Sequence, residues 1–427
     1  MHPNTHRTQP HRIPSFLRHV GPGVVTGAAD DDPSGIATYT QAGAQFGTGV
    51  LWTVFLTIPF MIGIQLVSAR IGRQSGQGIA ANLRAHTPRF FLFAIVGLLL
   101  VANTINIAAD IAAMGEALQL VVGGGAHFYA VAFGALTLLL QVFVPYRRLA
   151  PILKWLTLSL FVYVATAFTV HIPWSTVLHD LVLPRPIPDA AFWMMIVAIL
   201  GTTISPYLFF WQAAQEVEEM RLHGLKAGGE STRTLERAKR RMRLDTVIGM
   251  VFSNGIAFFV MLTGAIVLHG AGITDVRSAA QAAQALRPLA GDFAFALFSL
   301  GIIATGLLAV PVLASSAAYA VAEAFAWPEG LERHWREAKG FYAIIGIATI
   351  VGTGLDFTPI EPMKALYWSA VVNGVVAVPI MVAMMLLAGN SVVMGGLPVR
   401  RKTRFLGWGA VLLMTAAVGM MLSDIVR

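Results

Sequence analysis

Eleven apolar runs, each long enough or nearly long enough to cross about 30 Å of hydrocarbon, constrain this chain more than any other feature. They fall near residues 20–43, 48–69, 90–117, 127–145, 150–172, 190–215, 244–270, 290–325, 341–355, 364–388 and 405–425. Hydrophobic residues make up 56% of the 427 and charged residues only 12%, a balance no soluble domain of this length carries. In lipid every backbone N–H and C=O must be satisfied within its own segment, so runs of this length read as helices. The expected fold class is an all-α, multi-pass integral membrane protein of about 11 transmembrane helices. The run at 341–355 is the shortest, interrupted by Gly352, Gly354 and Asp356, and is expected to continue past that interruption.

Lys and Arg fix the orientation. With the N-terminus inside, 25 of the 30 basic residues fall on the inner side. Arg185, Arg277, Arg287, Lys364 and Arg427 are the five on the outer side. That bias predicts a cytoplasmic N-terminus and an external C-terminus. A missed span would scramble the alternation downstream of it, so the bias also supports the helix count. The net charge of +8 is accounted for in the same way: the basic residues line one membrane face without interleaved aromatic side chains, which argues against a nucleic-acid partner. The segment Arg221–Arg243 reads as a polar loop whose stretch Leu235–Arg241 forms a short surface helix against anionic lipid. The first nineteen residues carry His2, His6, His11 and His19 without an apolar h-region and read as a cytosolic tail. With no cysteine, disulfides, thiolate metal sites and cysteine nucleophiles are excluded. The sequence contains no paired His/Glu metal motif, nucleophile elbow or phosphate loop, so an enzyme is not expected.

Within the first apolar run stands Ala28-Ala29-Asp30-Asp31-Asp32-Pro33-Ser34-Gly35. Carboxylates and a helix breaker at membrane depth are costly, and they mark a water- or ion-filled site. A second break follows in the run 190–215, at Gly201-Thr202-Thr203-Ile204-Ser205-Pro206-Tyr207. The two prolines lie 173 residues apart, and each break opens a block of five spans. Five is odd, so the second block must lie inverted relative to the first, as in secondary transporters whose discontinuous helices meet at the midplane. The boundaries expected from this reading are a tail at 1–19, a first repeat at 20–172, a second at 173–388, and a loop with an eleventh helix at 389–427. An ordinary proline kink in each helix is the simpler alternative. It leaves the carboxylate triplet unexplained.

These residues resemble a known family. Gly21-Pro22-Gly23, Asp32-Pro33, Gln41-Ala42-Gly43-Ala44, Phe46-Gly47 and Leu51-Trp52 look like the opening segment of the Nramp divalent-metal transporters. Gly201–Pro206 is similar to that family's sixth-helix motif, and Ala304–Ala309 with Ala318-Tyr319-Ala320 and Glu323 is similar to its eighth helix. The resemblance implies a leucine-transporter-like inverted repeat of 5+5 helices plus one C-terminal helix, in a bacterial inner membrane. It also implies a divalent metal ion as substrate and no cofactor. The departures are specific. The family's Asp-Pro-Gly-Asn reads Asp32-Pro33-Ser34-Gly35, so Gly35 stands where an amide ligand is expected. Ser205 stands in place of a methionine, Tyr207 in place of a histidine, and Ala113 in place of a glutamate three residues after Asp110. The arginine pair of the ninth helix is not evident near Lys339-Gly340-Phe341.

The site chemistry expected from the residues centres on Asp32. An ionised carboxylate beside unwound carbonyls neutralises and ligates a dication; the same carboxylate would cap the second half-helix, and the two roles are compatible. Thr202, one turn before Ser205, adds a hydroxyl or carbonyl, and Asn373 is the expected extra amide, with an interhelical contact as its alternative. A hydroxyl at Ser205 instead of sulfur makes a harder site, and the missing amide at Gly35 leaves room for a partly hydrated ion, so Mg²⁺ joins Mn²⁺ and Fe²⁺ as a candidate. Asp30 and Asp31 face the ion only if the helix is unwound; otherwise they form a proton path or a water-facing vestibule. Asp110, on the polar face that includes Asn103 and Asn106, and Tyr207 complete the candidate proton or ion pathway. Glu116 is expected to be solvated and Glu323 to serve as a gate or helix-end contact. The pairs Gly23/Gly27 and Gly43/Gly47 read as close helix packing. A carrier of an organic substrate such as an amino acid on the same fold is the alternative function; three adjacent aspartates argue against an anionic substrate group there.

Overall fold

A computed structural model describes residues 26–27, 29–144, 157–183, 189–225, 232–395 and 399–426. The described residues form helices and connecting turns. Eight helices are long and apolar enough to cross a membrane, and two shorter apolar helices occupy Leu158–Ala167 and Lys339–Leu355. Together with the interrupted first helix they occupy the eleven positions expected from the sequence. The histidine-bearing tail at 1–19 lies outside the described residues.

The first helix is broken where the sequence predicts. Thr26, Gly27, Ala29 and Asp30 are helical, Asp31 and Asp32 are not, and the helix resumes as α1, Pro33–Phe46. Proline at the first helical position is pre-set for a helix start and lacks only an N–H that would be unpaired there. It is followed by α2 (Trp52–Ser75), the short α3 (Ile79–His86), α4 (Arg89–Val122), α5 (Ala126–Phe143), α6 (Phe161–Ala167) and α7 (Trp174–Val182). The second break repeats the first: α8 ends at Thr203 (Ala190–Thr203), Ile204 and Ser205 are non-helical, and α9 starts at Pro206 (Pro206–Leu222). The chain continues through α10 (Thr232–Thr263), α11 (Ala294–Phe325), α12 (Lys339–Leu355), α13 (Pro362–Gly389) and α14 (Arg401–Val426).

Backbone-to-backbone packing seats the broken helices. A methyl group added at Gly27 would collide with the Gly249 backbone of α10, and one at Gly43 with the Met261 carbonyl and the Ala265 N–H. At the second break, a methyl on Gly201 would strike the Ala370 carbonyl and Gly374 of α13. Hydrogen as the side chain is what lets these helices touch, and in lipid such contacts replace hydrophobic association as the cohesive force. The long α11 lies most extensively along α4, while α9 and α14 both pack on α2.

Three sequence expectations are corrected here. Leu235–Arg241 is not a separate surface helix but the first part of α10, which runs for 32 residues with no proline to break it and absorbs Gly249 and Gly255 within its length. α12 does not continue past Asp356; Gly352 is helical, and its missing side chain admits Ile107 and Ala108 of α4, so that glycine serves packing instead of interruption. Gly47 does not pack a helix but ends α1, at φ 58°, a backbone conformation open to glycine without a Cβ penalty.

Candidate metal site

Asp32 is the N-cap of α1, with extended backbone and its Oδ1 accepting from the Gly35 N–H at 2.7 Å and the Ser34 hydroxyl at 2.7 Å. Its Oδ2 accepts from Asn106 Nδ2 at 2.9 Å, which ties the first break to the middle of α4. Three donors on one buried carboxylate hold it in one orientation. The Cβ that a side chain at Gly35 would carry sits 3.0 Å from Thr202 Oγ1 and 3.4 Å from Asp32 Oδ1. The absence of that side chain therefore lets the Thr202 hydroxyl and the Asp32 carboxylate, one from each broken helix, both approach the same point of the backbone.

Asp30 and Asp31 are held elsewhere. Both reach the Ser253 hydroxyl of α10, Asp30 Oδ2 at 2.6 Å and Asp31 Oδ1 at 3.1 Å. Adjacent residues of a regular helix point about 100° apart. The unwinding at Asp31 is what lets both carboxylates reach one serine. Asp110 is fully buried on α4 one turn after Asn106, and neither of its carboxylate oxygens has a hydrogen-bond partner.

The second break is tied down by its own hydroxyls. Ser205 Oγ donates to the Gly201 carbonyl at 2.9 Å and the Thr202 carbonyl at 2.8 Å, closing the exposed end of α8 and leaving its oxygen lone pairs available. Tyr207 donates its hydroxyl to the Ala29 carbonyl at 2.8 Å, bridging the second break to the first half-helix. Asn373 is buried on α13 beside Gly374, the residue that meets Gly201, and neither end of its amide has a partner.

The structure thus gathers Asp32, Gly35 and Thr202, ties Tyr207 to the first half-helix and Ser205 to the end of α8, and hands Asp30 and Asp31 to α10. Among the described residues no three acidic or histidine side chains sit together as a metal cage. The polar groups gathered at the two breaks are hydroxyls and backbone carbonyls as well as carboxylates. Two contacts escape sequence reasoning. Asn106 is on the polar face read with Asp110, but its bond to Asp32 is not legible from that face; Ser253 is one hydroxyl among several in an apolar run and carries no signal. Two outlying carboxylates also find backbone partners. Glu116 accepts from the Ala279 N–H at 3.0 Å, so it is engaged where solvation was expected. Glu323 makes a helix-end contact, accepting from the Ala81 N–H at 3.0 Å in the first turn of α3.

Solved structures share this architecture. Crystal structures of the Eremococcus coleocola manganese transporter superpose with a TM-score of 0.73 at 16% identity, covering 98% of this chain and 95% of theirs. Mhp1, a nucleobase-cation-symport-1 family transporter, superposes with a TM-score of 0.54 at 15% identity over 97% of this chain. Among curated proteins, the divalent metal cation transporter MntH of Klebsiella pneumoniae is 28% identical over 415 residues, 94% of this chain and 93% of its own length. MntH of Yersinia pestis is 28% identical over 408 residues, 93% and 92% of the two chains. The family model described as "Nramp: Natural resistance-associated macrophage protein-like" matches residues 23–424, and with all but the ends of the sequence inside that match, the chain belongs to the Nramp family.

Proposed function

We propose that this protein is a secondary transporter that carries divalent metal cations across the membrane by alternating access, binding them at the two helix breaks. The observation that carries this reading is the concentration of buried oxygen atoms without hydrogen-bond partners around the breaks: Asp30 Oδ1, Asp31 Oδ2, Asp110 Oδ1 and Oδ2, Asn106 Oδ1 and Thr202 Oγ1. Buried polar atoms are ordinarily paired, and a cluster of unpaired acceptors fits a hydrated cation far better than an anion or an apolar ligand. The protein's relatives, a divalent metal cation transporter and a manganese transporter, agree with it.

In this reading Asp32 supplies the charge and Thr202 a facing hydroxyl, with Ser205 and Asn373 as further oxygen donors and Gly35 providing room for water on the ion. A site of oxygens without sulfur accepts Mn²⁺ and Fe²⁺ and does not turn away Mg²⁺. Coupling to protons is weak, because Ala113 cannot titrate and Tyr207 is committed to the Ala29 carbonyl. The test is uptake of Mn²⁺ into proteoliposomes by the full chain and by Asp32→Ala. Uptake by the wild type that disappears in the variant is the expected result; equal uptake by both would remove Asp32 from the site.

A further inference from the structure

Asn106 is the side chain through which α4 reaches the first break, and only one end of its carboxamide is engaged. Nδ2 donates to Asp32 Oδ2 at 2.9 Å, while Oδ1 is buried without a hydrogen-bond partner. The whole side chain is buried. We propose that Asn106 is a ligand of the transported dication: its carboxamide turns over when the ion binds, and Asn106 Oδ1 and Asp32 Oδ2 hold the ion between them. The inference rests on the transport reading for the nature of the ion and adds to it a ligand from outside the two broken helices.

Asp32 decides on which side of its carboxylate an ion can sit. A carboxylate has about four acceptor positions, two on each oxygen. At Oδ1 the Gly35 N–H and the Ser34 hydroxyl, both at 2.7 Å, take up the two. At Oδ2 Asn106 takes up one. The position left for an ion is therefore on the oxygen that meets α4. That face of α4 has a second acceptor one turn on, since Asp110 is buried with neither oxygen paired and residues four apart are neighbours on a helix.

The two ends of the carboxamide suit different neighbours. Against a bare carboxylate oxygen the donor Nδ2 is favourable and the acceptor Oδ1 repels. With a dication on Oδ2 the preference reverses, because both oxygens then point at positive charge. Half a turn about the Cβ–Cγ bond, a soft torsion in asparagine, exchanges the two atoms and puts Oδ1 where Nδ2 stands, 2.9 Å from Asp32 Oδ2. In an octahedral shell with oxygens at 2.0–2.1 Å, neighbouring oxygens are about 2.9 Å apart. The flip thus makes two adjacent corners of such a shell without moving either backbone. Asn103, one turn earlier, donates Nδ2 to the Leu313 carbonyl of α11 at 2.9 Å and anchors this stretch of α4.

The test uses the full chain in detergent, Mn²⁺ as the probe, and asparagine labelled with ¹³C at the carboxamide carbon. Asn373→Ser removes the other carboxamide that the transport reading gives to the ion. In wild type and in Asn373→Ser, electron–nuclear double resonance of bound Mn²⁺ should show a ¹³C coupling, because a ligating amide oxygen places its carbon two bonds from the metal. Adding Asn106→Asp to Asn373→Ser keeps the shape of the side chain, takes the label away, and should abolish the coupling. Asn106→Ala should bind Mn²⁺ roughly tenfold more weakly than wild type in equilibrium titration. A residue that only oriented Asp32 would weaken binding in the same way but give no coupling. Bound Mn²⁺ without a ¹³C coupling in Asn373→Ser, a coupling that survives Asn106→Asp, or unchanged affinity in Asn106→Ala each overturns Asn106 as a ligand. Mn²⁺ uptake by the wild type leaves the transport reading standing in all three cases; a wild type that neither binds nor carries Mn²⁺ removes that reading and this ligand with it.

Discussion

A carboxylate that caps a helix and a carboxylate that receives a dication make different demands on the same oxygens. In the proposed reading Asp32 meets both, because the cap uses Oδ1 through Gly35 while Oδ2 meets the more distant Asn106. Asparagine caps a helix about as well as aspartate but carries no charge, so Asp32→Asn separates the roles. It should melt within a few degrees of the wild type in detergent and take up no Mn²⁺; retained uptake would mean that the charge is not needed. Ser205 gives a test of selectivity. Ser205→Met puts a soft sulfur at the second break and frees the two carbonyls that the hydroxyl now engages. In competition assays Mg²⁺ should inhibit Mn²⁺ uptake by the wild type and lose ground in the variant, while Cd²⁺ gains. If Mg²⁺ inhibits neither form, the hard-site argument is wrong. Asp32 and Thr202 were legible as candidates in the sequence because Asp32 stands directly before one membrane-depth proline and Thr202 one turn before another, an expensive combination. Ser253 was not, because one serine in an apolar run is compatible with any depth and any neighbour.

Helices rather than loops carry the site, and the glycines decide how closely those helices approach. Gly201→Ala drives a methyl into the Ala370 carbonyl and Gly374, neither of which is a movable side-chain end. Overpacking of this kind costs about 1–3 kcal/mol, so the variant should show a lower melting temperature in detergent and reduced uptake. Gly97→Ala on α4, where an added methyl meets nothing within 4 Å, is the control and should melt as the wild type does. Equal melting of the two variants would contradict the assignment of Gly201 to the contact with α13. Both breaks were readable in advance, because at Asp32-Pro33 and Ser205-Pro206 the proline follows a polar residue inside an apolar run; Pro59, Pro311 and Pro379, flanked by apolar residues, lie within continuous helices. The continuity of α10 was not: its first turns are as polar as a loop, and hydropathy alone does not distinguish a polar helix extension leaving the membrane from a polar connection.

At the scale of the whole molecule, the sequence bias of basic residues and the two broken helices lead to claims about orientation and coupling. Because the chain has no cysteine, Ser423→Cys near the end of α14 gives a single thiol. An impermeant maleimide added to intact cells should label it, since the basic-residue count puts that end outside; labelling only after lysis would invert the topology. The coupling claim depends on how protons would cross. A transmembrane proton route needs titratable groups in sequence from one face to the other, and histidine is the side chain whose ordinary range suits that task. The second break has a phenol bonded to a backbone carbonyl where the family resemblance leads one to expect a histidine, and α4 has Ala113 where it leads one to expect an acid. Asp110 remains, but with Ala113 one turn on, the next acid along that helix is Glu116, six residues away and engaged by the Ala279 N–H. Mn²⁺ uptake driven by a metal gradient should therefore leave the pH inside the vesicles nearly unchanged, and an imposed inward proton gradient should accelerate it little. Acidification that tracks metal entry in fixed proportion would contradict this and point to Asp30 and Asp31, at Ser253 of α10, as the route that replaces the missing groups.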